Sequence, residues 1–275
     1  MDMLQAVGLY TIVRVCPEET EASMIERFAV HFEPGMDERV VSVYLPRGYD
    51  ESDERYPVMY MFDGQNAFES HSDDYDGTWK LHRFLMRWEK GMIVVAVQSS
   101  AEADRRMAEY SPYPLEPKRW GSLCARGGQT LGWIADVLKP QIDARYRTLP
   151  ERACTGVMGG SMGALMSLCA VITRNDVFSK AACVSPAIGE CGEAMVKEIA
   201  QRALDADTRV YLSLGSDEAK DKPSLSRDVA RMLALSNALV RAGVRTYPFV
   251  QEGGRHCEAD WSMQAPEYMR FLWME

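Results

Sequence analysis

Short apolar runs alternate with stretches of helical periodicity six times along this chain, and that alternation restricts the fold more than any other feature. The runs 57–62 (PVMYMF), 92–98 (MIVVAVQ), 153–158 (ACTGVM), 179–184 (SKAACV), 209–214 (RVYLSL) and 245–250 (RTYPFV) are brief and largely apolar, as strands covered on both faces must be. Between them, 77–89, 128–145, 161–173, 190–204, 223–242 and 260–272 repeat apolar residues at three- and four-residue spacing, the pattern of helices laid against a sheet. Ahead of these, 25–32 and 38–46 alternate apolar and polar residues across a Pro-Gly turn, which predicts an antiparallel hairpin. The expectation is an α/β fold: a mostly parallel, mixed sheet of about eight strands covered by helices on both faces, with ligands outside the carboxyl ends of the strands. The irregular stretch 99–127 reads as an excursion over the sheet edge and a rim for that site.

No linker, repeat or low-complexity tract interrupts the 275 residues, so one domain, 1–275, is expected. A hydrophobic share of 47% with 26% charged residues fits a soluble globular chain. The formal charge of −9 speaks against nucleic-acid binding, which needs a basic face to displace counterions. Seven cysteines, scattered and without a CxxC pair, fit reduced thiols better than disulfides or a zinc site. With no basic segment ahead of the first apolar stretch and no run long enough to span a bilayer, the expected location is the cytoplasm, away from membranes.

Gly159-Gly160-Ser161-Met162-Gly163 matches G-x-S-x-G, between a buried run and an apolar helical pattern, the context in which a serine is presented on a sharp strand-to-helix turn. Small neighbours at Gly159, Gly163 and Ala164 let strand and helix approach. A glycine-rich loop with a helix-capping serine is the plainer reading of the same letters. A dinucleotide loop is not, because no glycines stand at the offsets of G-x-G-x-x-G.

A serine hydroxyl is a weak nucleophile until a base takes its proton. Of four histidines, His31, His71 and His82 precede the serine, while His256 follows the last predicted strand after Gly253 and Gly254. His256 is therefore the candidate base, and adjacent Cys257 is the weaker, thiol alternative. The acid should follow a strand between them, where Asp217 and Glu218 stand side by side; either can hold the imidazole tautomer. Oxyanion donors are expected from the amide of Met162 and from that of Gln65, in Phe62-Asp63-Gly64-Gln65-Asn66 after an earlier strand, where Gly64 permits an unusual backbone direction.

Taken together, VYLPRGYDESDERYPVMYMFDGQNAF, RMAEYSP, LKPQIDARYRTLPERACTGVMGGSMGALMS and GGRHCEADW resemble the esterases of the α/β-hydrolase superfamily that include enterochelin esterase-like and feruloyl or acetyl-xylan esterase-like proteins. The resemblance covers about 40 to 272. It implies the α/β-hydrolase fold without a separate cap domain and a Ser-acid-His esterase using no metal and no cofactor. It also favours Glu218 over Asp217, since the family's acid tends to follow the strand-terminal glycine by three residues. Cys257, where asparagine is common, and the lack of a tyrosine near Gly128–Leu131 depart from the family pattern. The loop at 62–66 does not resemble that of the related S-formylglutathione hydrolases.

The expected activity is hydrolysis of a small-molecule carboxylic ester through an acyl-enzyme on Ser161. Trp79, Tyr110, Tyr113, Trp120 and Trp261 are candidates to line the substrate site. Acyl transfer or thioester hydrolysis on the same fold, and a binding protein without turnover, are the alternatives.

Overall fold

The computed structural model describes residues 13–15, 24–68, 77–114, 124–189 and 191–274. Their nine strands form one sheet: β1 (Val13–Val15), β2 (Met24–Phe32), β3 (Asp37–Leu45), β4 (Val58–Met61), β5 (Ile93–Val97), β6 (Thr155–Gly160), β7 (Lys180–Val184), β8 (Arg209–Gly215) and β9 (Arg245–Gln251), in the order β1-β2-β3-β5-β4-β6-β7-β8-β9. β1, β2, β3 and β5 pair antiparallel, and every pairing from β5 across to β9 is parallel. The hairpin turns where Phe32 faces Asp37, over Pro34 and Gly35. The strand beyond the expected eight is β1, three residues on the outer edge, too short to leave a periodicity.

Among the described residues the helices are α1 (Leu81–Leu85), α2 (Ala103–Glu109), α3 (Gly127–Trp133), α4 (Lys139–Arg145), α5 (Met162–Thr173), α6 (Gly192–Ile199), α7 (Lys222–Arg241), α8 (Glu258–Ser262) and α9 (Ala265–Trp273). Three expected helices differ. The pattern at 77–89 condenses to α1, entered through Lys80 at φ 46°. That at 128–145 is divided by a π turn, Ile134–Leu138, just before Pro140, whose ring nitrogen cannot donate to the turn above it. The third, 260–272, is two helices with Pro266 in the first turn of the second.

Alternation along the central strands places the core on both faces. Val58, Tyr60 and Phe62 join Val157 in the cluster under α3 to α7, while Met59, Met61 and Met158 join the opposite cluster against α1 and α9. α5 is buried at every position from Met162 to Ile172 because it lies across the middle of the sheet. β9 corrects an expectation: although its run is apolar, it is an edge strand, with Tyr247 and Val250 at 36% and 40% exposure and Pro248 within it. Proline is tolerated there because the edge carries no ladder on that side.

Candidate active site

β6 and α5 meet at Ser161, whose backbone at φ 55°, ψ −117° lies outside the regions open to most non-glycine residues. The turn is held on three sides. The Ser161 amide donates to Val184 O (3.1 Å), and its carbonyl accepts from Leu165 and Ala187 (both 3.1 Å). The glycines allow the strand and helix to close: a Cβ at Gly159 would lie 2.6 Å from the Gly163 backbone, and one at Gly163 would lie 2.9 Å from Phe62 Cβ. A Cβ at Gly160 would strike the Trp261 ring at 2.5 Å.

His256 follows β9, in a loop fastened to the one after β8. Ser216 N donates to Gln251 O (2.9 Å), Asp217 N to Gly254 O (2.9 Å) and Gly253 N to Ser216 Oγ (2.8 Å). Gly253 takes φ +68°, and Gly215 is packed so closely that its Cβ would reach Gly254 O at 2.2 Å. On the other side of the histidine, Asp260 in α8 reaches back to accept from the Arg255 amide (2.7 Å) and guanidinium (2.9 and 3.1 Å). Those bonds hold the Asp260 carboxyl below its ordinary range.

Between the two adjacent acids the geometry discriminates. His256 Nδ1 lies 2.8 Å from Glu218 Oε2, and Glu218 Oε1 accepts from Gly215 N at 2.7 Å and from the Ser185 hydroxyl. Asp217 is exposed, its carboxylate taken by the neighbouring Ser216 hydroxyl at 3.0 Å. His31 sits exposed on the hairpin, and His82 is buried in α1 against Phe68; His71 lies outside the described residues.

Ser161 and His256 line one pocket of about 320 Å³, with Gln65, Trp79, Trp261 and Arg106 also in its wall. Gln65 lies in a 3-10 turn, Gly64–Asn66, after β4, and Met162 opens α5. The unusual backbone direction belongs to Asp63, at φ 55°, rather than to Gly64. Glycine is required at 64 for another reason: a Cβ would meet the Ala96 carbonyl carbon at 2.4 Å where the turn crosses β5.

The aromatic candidates divide. Trp79 and Trp261 form part of the pocket, their ring centroids 5.7 Å apart. Tyr110 is a correction to the expected lining: it is buried edge-on to Phe62, and its phenol oxygen accepts the Asp63 amide at 3.0 Å. Burial, with the Asp63 charge adding to it, pushes that phenol's pKa well up. Tyr113 instead donates to Glu198 on α6, and Trp120 lies outside the described residues.

Polar residues without a motif complete the wall. Arg106 on α2 makes a two-pronged pair with Asp63, 2.7 Å on each arm, which raises its pKa. Asn66 donates to Glu258 at 2.9 Å. The stretch 99–127 thus supplies a rim residue, but from a helix whose sequence, ADRRMAE, carries no apolar stripe. α2 is secured instead by ion pairs to one distant strand, β3, Arg39 with Glu109 and Arg105 with Asp37, which single-segment periodicity cannot reveal.

The strand order and the serine turn together define the α/β-hydrolase fold. It is shared with an IroE-like serine hydrolase from Shewanella oneidensis, at a TM-score of 0.72 and 16% identity over 90% of this chain and 79% of that one. It is also shared with the BES protein from Bacillus cereus, at a TM-score of 0.72 and 19% identity over 95% and 98%. Residues 36–272 match the family described as "Putative esterase", and the chain belongs to that family and is an esterase. A relative, the uncharacterized protein YbbA of Bacillus subtilis (strain 168), is 24% identical over 201 residues, 70% of this chain and 74% of that protein.

The Gly160 contact gives a direct expectation. Gly160→Ala displaces the Trp261 ring, which packs edge-on against His256 with centroids 4.9 Å apart. Turnover of an aryl ester should fall roughly 10- to 100-fold, as small displacements of reacting groups do. Steady-state kinetics beside a thermal melt will separate this from unfolding, and undiminished kcat would show that the ring's position does not matter.

Proposed function

We propose that this esterase hydrolyses carboxylic esters of small molecules through a Ser161–His256–Glu218 triad and an acyl-enzyme. The observation that carries the reading is the 2.8 Å contact between His256 Nδ1 and Glu218 Oε2, made by a histidine that shares its pocket with Ser161. With the Nδ1 proton directed at the carboxylate, Nε2 is left with a lone pair to take the Ser161 proton. Ser161 Oγ attacks the ester carbonyl, and the resulting oxyanion is met by the amides of Met162 and Gln65. The imidazolium protonates the departing alcohol. Water, activated by the same histidine, then cleaves the acyl-enzyme and restores Ser161.

The pocket wall supports a polar substrate portion. Arg106, Asp63, Asn66 and Glu258 offer charged and hydrogen-bonding groups beside the rings of Trp79 and Trp261, a combination suited to a hydroxylated or aryl group. The structural neighbours include a ferulic acid esterase and the enterobactin hydrolase IroE.

Stopped-flow hydrolysis of p-nitrophenyl acetate tests the acyl-enzyme. A burst of one p-nitrophenol per active site, followed by slower turnover, is expected when deacylation limits the rate. The same reaction with added glycerol measures transfer: products that stay free acid support hydrolysis, and predominant glyceryl ester would make the protein an acyltransferase.

A further inference from the structure

Ser185 follows β7 directly and belongs to no catalytic motif, yet it touches the proposed acid. The residue is 1% exposed and takes a left-handed backbone, φ 51°, that a glycine would adopt at less cost. Its amide donates to Ser213 O at 3.0 Å, fixing it between the ends of β7 and β8. The Trp261 indole nitrogen lies 3.0 Å from Ser185 Oγ. Since an indole N–H only donates, the Ser185 oxygen accepts there, and its single proton is left for the other contact, Glu218 Oε1.

A directed chain results: Trp261 N–H to Ser185 O–H to Glu218, whose second oxygen receives His256 Nδ1. Gly215 N–H supplies the other bond to Oε1, at 2.7 Å. Trp261 closes the arrangement on itself, because its ring also packs at right angles to His256, centroids 4.9 Å apart, and lines the pocket that contains Ser161. Hydrogen bonds arranged in such a chain polarise one another, and a carboxylate held by several donors has one orientation instead of many.

We infer that Ser185 is a positioning residue that sets the direction of the Glu218 carboxylate toward His256, and that Trp261 couples the wall of the substrate pocket to the triad acid through it. The inference rests on the proposed triad. Without the hydroxyl, Glu218 retains among the described residues the Gly215 amide as its one donor besides the histidine, and more of its charge falls on the imidazolium. Acidic conditions then silence the base at a higher pH, so the low-pH limb of kcat/KM moves upward.

The experiment uses Ser185→Gly, which removes the hydroxyl while relieving the left-handed strain, so that loss of fold does not follow from the substitution. Expected with p-nitrophenyl acetate are a kcat reduced about 10-fold or more, a KM within about twofold, and a low-pH limb raised by about half a unit, with a thermal melt on the same sample to separate this from unfolding. Trp261→Phe removes the indole N–H together with part of the ring that packs against His256 and lines the pocket. Its low-pH limb should move in the same direction by less, and adding it to Ser185→Gly should move that limb no further, because the indole N–H reaches Glu218 through the hydroxyl. Wild-type kcat and an unmoved limb in Ser185→Gly, or limb shifts that add strictly in the double variant, would overturn the inference. Ser161→Ala in the same assay keeps the two readings apart: if it retains activity the triad fails, whereas an inactive Ser161→Ala beside a fully active Ser185→Gly defeats only the role of Ser185.

Discussion

Ser161→Ala is expected to lower kcat for ester hydrolysis by on the order of 10⁵- to 10⁶-fold, the scale seen when a serine nucleophile is removed from a triad. Residual turnover would come from the pocket and the oxyanion donors acting on water. Stability should change little. The Ser161 side chain makes no capping hydrogen bond to α5, the Cβ is retained, and the constraints on the turn are backbone bonds to Val184, Leu165 and Ala187. KM should stay within a few-fold, because the lost interaction belongs to bond making and not to substrate binding. Steady-state kinetics with a melt on the same sample will check both halves, and kcat within 10-fold of wild type would remove Ser161 from the chemistry.

The second large effect separates two adjacent carboxylates. Glu218→Gln should cost roughly 10³- to 10⁴-fold in kcat, whereas Asp217→Asn should cost less than about threefold. Gly215 N–H donates to the Oε1 position, so a glutamine amide places its oxygen there and turns its NH₂ toward His256 Nδ1. The imidazole must then accept at Nδ1 and carry its proton on Nε2, where it cannot receive the proton of Ser161. Asp217 faces solvent and bonds Ser216, so its neutralisation leaves the tautomer alone. A reversed order of effects would assign the acid to Asp217.

The fold was legible where burial leaves a local trace. β4, β5, β6, β7 and β8 lie inside the sheet, and each appears in the chain as a short apolar run because both faces are covered. Local pattern fails where distant contacts decide. α2 is held by Arg39–Glu109 and Arg106–Asp63 pairs with no stripe of its own, and the edge position of β9 is a property of strand order that RTYPFV does not encode.

The candidate site divides along the same line. The serine turn announces itself because steric closure forces glycine at 159, 160 and 163, and composition records that directly. His256 follows from chain order. The adjacency of Asp217 and Glu218 left two choices open from the residues alone, since what distinguishes them is the reach of a longer side chain back to Gly215 N and across to His256. Ser185 was invisible for a related reason: a serine after a strand has no signature, and its partners, Glu218 and Trp261, are 33 and 76 positions away. Tyr110 shows the converse, a plausible pocket aromatic whose phenol supports the Asp63 turn from within the core.

The central claim is that Ser161 is the nucleophile activated by His256, and covalent capture addresses it most directly. The protein is incubated with a fluorophosphonate probe, its intact mass is measured, and the adduct is mapped by peptide sequencing. One adduct per chain, located on the peptide that carries Ser161, absent in Ser161→Ala and slowed at least about 100-fold in His256→Ala, is the predicted result. An adduct on another residue, or labelling that persists unchanged in Ser161→Ala, would contradict it.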